Sequence, residues 1–368
     1  MADVVPAPER VVVTGLAVLS AFGRGPDALL ERAFTGEPAF APVTRFDTDR
    51  RRTDMAATLP GDPVLADELV DAVGYACADA GLTADLRERC PLLLAGHADA
   101  SNAATAREVA GRTGLLEPAR TYTAACVAAT SAIADAATTI AAGRAPRVVV
   151  AAGYLVEADL FAVFDAGRAL ARDGAVRPFS AGRQGMVLGD AVAAVVLESA
   201  TAAAAREVLP RATLAGWGRA GDAYHVVQPR PDGSGLARAV ESALARAGVL
   251  PAEVGYVNAN GTGTPYSDAA EAAALHRVFG PDIDRVPVSS TKSVHGHALE
   301  ASGLLEFVFT VLALRAGRLP VNAGYLGADA DCRLDLVLDA PRPAEPRYAL
   351  TLNAAFGGAN TALLVGAP

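Results

Sequence analysis

The chain has 368 residues, a formal net charge of −9 and 52% hydrophobic residues, enough for one large core or two fused halves and too apolar for a disordered chain. No basic block exceeds Arg50, Arg51 and Arg52, and no apolar run reaches the length of a membrane span, so neither nucleic acid nor membrane is an expected partner. The first ten residues lack a charged-then-apolar leader, and a cytoplasmic protein is expected.

In chain order, residues 10–19 read as a buried strand and 26–34 as a short amphipathic helix. Residues 38–63, rich in Pro, Asp and Arg, read as a surface excursion. A helix is predicted over 65–80, a strand over 91–95 and a helix over 103–112. Continuous apolar strands follow at 147–152, 187–198 and 212–218. After Gly233 the pattern begins again: helix 236–247, strand 254–259, helix 267–279, strand 286–289, long apolar helix 301–316, strands 348–353 and 361–365. Apolar strands alternating with helices predict an α/β protein whose mainly parallel sheet is covered on both faces. No low-complexity linker separates the halves, 1–233 and 234–368, so one five-layered αβαβα body is expected.

Residues 121–139, T-Y-T-A-A-C-V-A-A-T-S-A-I-A-D-A-A-T-T, place Cys126 between a strand end and a helix start. A thiol near a helix N-terminus gains thiolate character, and small neighbours let a substrate approach. The alternative is an ordinary buried cysteine. The other cysteines, Cys77, Cys90 and Cys332, are scattered without C-x-x-C, so neither a disulfide framework nor a metal site is indicated. Four C-terminal stretches add chemistry. N-A-N-G-T-G-T (258–264) projects Asn260 from a tight loop. S-S-T-K-S-V-H-G-H-A-L-E-A-S-G (289–303) gathers Lys292, His295 and His297. N-A-A-F-G-G-A-N (353–360) can present a backbone N–H to an oxyanion at its Gly-Gly turn. W-G-R-A-G-D-A-Y-H-V-V-Q-P-R-P-D-G (217–233) carries His225.

Taken in order, V-V-V-T-G-L from Val11, A-A-C at Cys126, R-P-F-S-A-G-R-Q-G-M-V-L-G-D from Arg177, G-D-A-Y-H from Gly221, G-T-G-T from Gly261, S-S-T-K-S from Ser289, G-H at Gly296 and F-G-G-A-N from Phe356 resemble a β-ketoacyl-acyl-carrier-protein synthase of the elongating type. The resemblance covers nearly the whole chain and implies a thiolase-like fold of two similar fused halves. It implies that Cys126 takes an acyl group from a carrier-protein thioester, with its own N–H and that of Phe356 as oxyanion hole. It implies that His297 polarises the malonyl thioester, that Lys292 and Glu306 are the charged pair behind it, and that Phe356 is a gate. His225, His295, Glu300, Gly357 and Gly358 are further pocket candidates. The implied partners are an acyl carrier protein, whose phosphopantetheine arm is substrate rather than cofactor, an acyl thioester, and a second subunit, identical or paralogous.

The departures are informative. The family's H-G-T-G-T has Asn260 in place of its His; Asn donates a hydrogen bond but cannot shuttle a proton. The expected function is acyl transfer in polyketide-like or fatty-acid-like specialised biosynthesis, by modified decarboxylative condensation or by transfer without decarboxylation. The alternative is a non-catalytic, chain-length-factor-like partner. Glu300 stands where the family has a small residue, and either meets His295 or His297 or is a solvated helix residue. The chain is about forty residues shorter than the resemblance implies, and residues 38–63 and 153–176 are the expected places of loss and of a reshaped substrate entrance.

Overall fold

The computed structural model describes residues 8–368. Five strands form the first half: β1 (Val11–Ser20), β2 (Pro91–Ala95), β3 (Leu116–Tyr122), β4 (Arg147–Tyr154) and β5 (Ala191–Ser199), in the order β3-β2-β4-β5-β1. Five form the second: β6 (Ala212–Gly221), β7 (Val254–Asn258), β8 (Pro287–Ser289), β9 (Tyr348–Ala355) and β10 (Ala359–Gly366), in the order β8-β7-β9-β10-β6. Numbered within each half, both orders are 3-2-4-5-1, with the same alternation of parallel and antiparallel pairs. The halves join where the first strand of each pairs with the other, Val11 opposite Leu214. The repeat therefore starts with β6 at Ala212, so Gly233 lies inside the second half, beyond its first strand.

The helices repeat too. In the first half α1 (Leu65–Asp79) and α2 (Asn102–Thr113) cover the outer face of the sheet, and α3 (Ala128–Ala141) covers the inner face. After α4 (Ala158–Ala166), the second half has α5 (Ser234–Ala247) and α6 (Pro265–Phe279) outside and α7 (Leu299–Ala316) inside. An outer helix buries one stripe; α5 buries Leu236, Val240, Ala243 and Leu244. The inner helices are buried nearly all round, with only Asp135, Thr138, Thr139 and Ala141 of α3 partly exposed. In α7 every residue from Leu299 to Leu314 is buried, which accounts for its apolar sequence and makes Glu300 and Glu306 conspicuous. Gly303 lets α7 pass close over α3, since a Cβ there would lie 2.7 Å from Thr130 Cγ2. The five layers place the N-terminus of α3 and the N-terminus of α7 together at the centre.

Two expectations are corrected. The sheet is mixed rather than mainly parallel, because β4–β5, β5–β1, β6–β10 and β9–β10 run antiparallel and only the outer pairs are parallel. The apolar run 187–198 is two strands. Leu188–Gly189 joins a small side sheet with Met55–Ala57, and Asp190 breaks the run before β5. The 38–63 segment lies mostly at the surface, as expected, and is anchored there: the Leu59 N–H (2.6 Å) and Val156 N–H (2.6 Å) both donate to the Asp190 carboxylate, which also pairs with Arg45. Burying that carboxylate is tolerated because its oxygens are met by donors and a cation.

Candidate active site

β3 ends at Tyr122, a single 3-10 turn (Ala125–Val127) carries Cys126, and α3 begins at Ala128. Ala125 takes φ of 47°, a conformation few non-glycine residues adopt, so the elbow is strained and holds its thiol in one place. The expectation of a lowered thiol pKa is not met. Burial pushes Cys126 up to about 12, and the Glu300 carboxylate adds to the rise against the Lys292 ammonium. The helix N-terminus favours a thiolate, but desolvation is larger, and the resting residue is a neutral thiol.

His297 lies between β8 and α7, with its imidazole buried. Its Nδ1 is 2.8 Å from Ser302 Oγ, and Ser302 Oγ accepts the Ala298 N–H at 2.8 Å. Where the hydroxyl donates to Nδ1, the ring carries its proton on Nε2, the tautomer that offers an N–H away from Ser302. Burial first, then the Lys292 and His295 charges, hold the His297 pKa well below the usual range. The group is therefore a neutral N–H donor.

Asn260 follows β7, and its loop is fixed by Glu271, which accepts the Asn260 N–H (2.7 Å) and the Gly261 N–H (2.8 Å). Burial raises Glu271 to about 7. Lys292 Nζ donates to Asn260 O at 2.7 Å and to Asn260 Oδ1 at 3.3 Å, and pairs with Glu306 Oε1 at 2.6 Å. An ammonium only donates, so the amide must turn its oxygen to Lys292, which leaves Nδ2 for the cavity. Asn353 Nδ2 donates to the other Glu306 oxygen at 2.7 Å. Burial raises the Glu306 pKa and Lys292 opposes it.

Cys126, Asn260 and His297 line one cavity of about 410 Å³, with Phe164, Arg168, Gln228, Tyr266 and Phe356 toward its mouth. Phe356 is 46% exposed and stacks on Phe164, ring centres 6.1 Å apart. Phe164 and Arg168 fall within residues 153–176, so that region does shape the entrance.

The structure does not bring every candidate here. Gly357 (φ 84°) and Gly358 (φ 75°) form the β9–β10 turn, but their N–H groups donate to Val226 O and Ala355 O, which leaves them no donor for an oxyanion. His225 is exposed; its Nδ1 accepts the Val227 and Gln228 N–H groups and ties down the 225–228 loop. His295 is a core residue, stacked on Phe309 with its Nε2 3.0 Å from Thr291 Oγ1, and burial lowers its pKa to about 3. Glu300 meets neither His295 nor His297, nor is it solvated: it is buried and pairs with His97 Nδ1 at 2.9 Å. Sequence reasoning assigned no role to Ser302, Glu271, Asn353 or His97. Ser302, five residues after His297 at a helix start, was the one with a local signal.

The family descriptions "Beta-ketoacyl synthase, N-terminal domain" and "Beta-ketoacyl synthase, C-terminal domain" match residues 72–203 and 211–325. The chain is 31% identical to 3-oxoacyl-[acyl-carrier-protein] synthase 2 of Coxiella burnetii over 97% of this chain and 98% of that protein. It is 41% identical to Nodulation protein E of Rhizobium meliloti over 71% of this chain, a match that spans 64% of that protein's length. Among solved structures, the ishigamide ketosynthase/chain length factor superposes with a TM-score of 0.90 at 27% identity, covering 98% of this chain and 100% of that one. A type II polyketide synthase acyl-carrier protein in complex with its ketosynthase bound to the hexaketide gives 0.92 at 25% identity, with the same coverage. With a thiolase-like fold, a cysteine elbow and a near full-length relative, the chain belongs to the β-ketoacyl synthase family.

Proposed function

We propose that the protein is an acyltransferase that loads an acyl group from a carrier-protein thioester onto Cys126 and passes it to a second substrate. The observation that carries this reading is the convergence of the Cys126 thiol, the Asn260 amide and the neutral His297 imidazole on one cavity with an aromatic at its mouth. In the first step Sγ attacks the thioester carbonyl, the carrier sulfur leaves, and the thiol proton passes to it. The Cys126 and Phe356 N–H groups stabilise the oxyanion. No cofactor enters this exchange; the phosphopantetheine arm is substrate.

In the second step the two side-chain donors hold an oxygen that gains negative charge. Where the acceptor is malonyl, carbon dioxide leaves, the enolate carbon attacks the Cys126 thioester, and the freed thiolate is reprotonated. Neither donor titrates near neutrality, so the site stabilises charge without shuttling protons, and loading outpaces decarboxylation. The buried Lys292–Glu306 pair holds Asn260 in register. The retained Cys126 and His297 favour this reading over a non-catalytic partner subunit.

The acyl donor is an acyl carrier protein, and the working unit is a dimer, of this chain or with a paralogue. The sheet's free edge in the first half is β3; the apolar β4 lies inside, between β2 and β5. Incubating the protein with acyl-carrier and malonyl-carrier proteins and reading intact masses tests the proposal. Acyl mass on Cys126 is expected in the wild type and none in Cys126→Ala.

A further inference from the structure

A second cavity of about 250 Å³ lies at the carboxyl ends of the parallel neighbours β2 and β4, between α1 and α2. Strand carboxyl ends are where open α/β sheets hold ligands. His97, Asp99, Asn102, Tyr154, Glu157 and Asp159 line it, and among the described residues no Lys or Arg does. Two of its groups are buried and unmatched. Tyr154 is 4% exposed and Asn102 8%, yet Tyr154 Oη and Asn102 Nδ2 have no hydrogen-bond partner among the described residues. An unmet buried polar group costs about 1–3 kcal/mol, so a site keeps it when a ligand completes it.

Glu300 connects this cavity with the thiol. It reaches from the N-terminus of α7, in the central layer, to His97 just beyond β2. Its second oxygen, Oε2, is buried without a partner, and its charge bears on both Cys126 and Tyr154. His97, which Glu300 holds, lines this second cavity, so Glu300 is the side chain that joins it to the surroundings of Cys126. Leu69 and Leu94 give it an apolar wall for methylenes. Asp99, Glu157 and Asp159 line it beside a single imidazole, His97, which Glu300 holds from behind, so a cation is favoured there over an anion.

We propose that this second cavity recognises an organic ammonium group: the amine-bearing far end of an acyl chain on Cys126, or a free small amine. The ammonium donates to the carboxylates, and a carbonyl or amide of the same ligand accepts from Tyr154 Oη and Asn102 Nδ2. The acyl-chain source rests on the loading reading above; the free-amine source does not.

Two measurements on the full-length protein decide it. Loading of Cys126 is timed by intact mass with pantetheine thioesters in isosteric pairs, β-alanyl against butyryl and 8-aminooctanoyl against nonanoyl. Separately, saturation-transfer NMR compares binding of butylamine and butanol. We expect an amine-bearing acyl group to load about tenfold or more faster than its isostere, as a charge-assisted hydrogen bond allows. Glu300→Gln and Tyr154→Phe should draw that ratio toward one. Butylamine binding that weakens in Asp159→Asn, without an acyl preference, assigns the cavity to free amines. Equal or faster loading of the alkyl isosteres together with no amine binding overturns the proposal. If no thioester labels Cys126, the loading reading fails, and the butylamine result alone decides the cavity.

Discussion

Replacing Asn260 isolates the second step. The amide offers Nδ2 to the cavity because its oxygen is held by Lys292, and in Asn260→Ala the ammonium still has the residue-260 carbonyl and Glu306. The substitution thus removes one donor without stranding the cation. Losing one oxyanion donor costs about 3 kcal/mol, or about a hundredfold in rate. Loading of Cys126 uses backbone donors and should change far less. Asn260→His restores a donor by another route: Nδ1 accepts from Lys292 and Nε2–H faces the cavity, so malonyl decarboxylation should rise above the wild-type rate. The assay preloads Cys126, adds malonyl-carrier protein, and follows carbon dioxide release and loss of acyl mass in a single turnover. A second step in Asn260→Ala within about threefold of wild type would refute the reasoning, since a donor worth its usual share cannot vanish so quietly. Decarboxylation slowed by Asn260→His would show that Asn260 is the adapted donor.

Cys126 alkylation by iodoacetamide should rise close to tenfold per pH unit across pH 7–9, because a thiol raised to about 12 is nearly all protonated there; a plateau near pH 8 would contradict the burial argument. Removing the neighbouring charge with Glu300→Gln should speed that alkylation at pH 8. Ser302→Ala should leave loading intact and slow the second step several-fold, because His297 loses the hydroxyl that sets its tautomer. Lys292→Met strands the buried Glu306 carboxylate and should cost about 3–5 kcal/mol in urea unfolding. For stability against pH, His295 is lowered to about 3 when folded against about 6.5 unfolded, so below pH 6.5 the unfolded chain binds the extra proton. Stability should fall as pH drops through that window, by up to about 1.4 kcal/mol per unit for this group, and His295→Phe should flatten the acid limb.

Much of this was legible in the sequence because the signals were local. Cys126 follows a strand-ending T-Y-T and opens an alanine-rich helix; the buried strand and helix runs fell close to their observed bounds. Lys292 and Glu306 came through resemblance, and the structure pairs them at 2.6 Å. What failed were properties of tertiary environment. A helix N-terminus can be read from spacing, but the desolvation that reverses its effect on Cys126 comes from five packed layers. The Glu300–His97 pair joins positions 203 residues apart, which no periodicity reveals. The strand run at 187–198 breaks at Asp190 only because Arg45, Leu59 and Val156 converge on that carboxylate. Gly357 and Gly358 looked free to donate until the 225–228 loop and the turn itself took up their N–H groups.

The central claim is that Cys126 carries the acyl group. The most direct measurement is intact-protein and peptide mass spectrometry after incubation with acyl-carrier protein. The account predicts one acyl adduct per chain, on the peptide containing Cys126, absent in Cys126→Ala and present when Cys77, Cys90 or Cys332 is replaced. Acylation that persists in Cys126→Ala, or that maps to another residue, would contradict it.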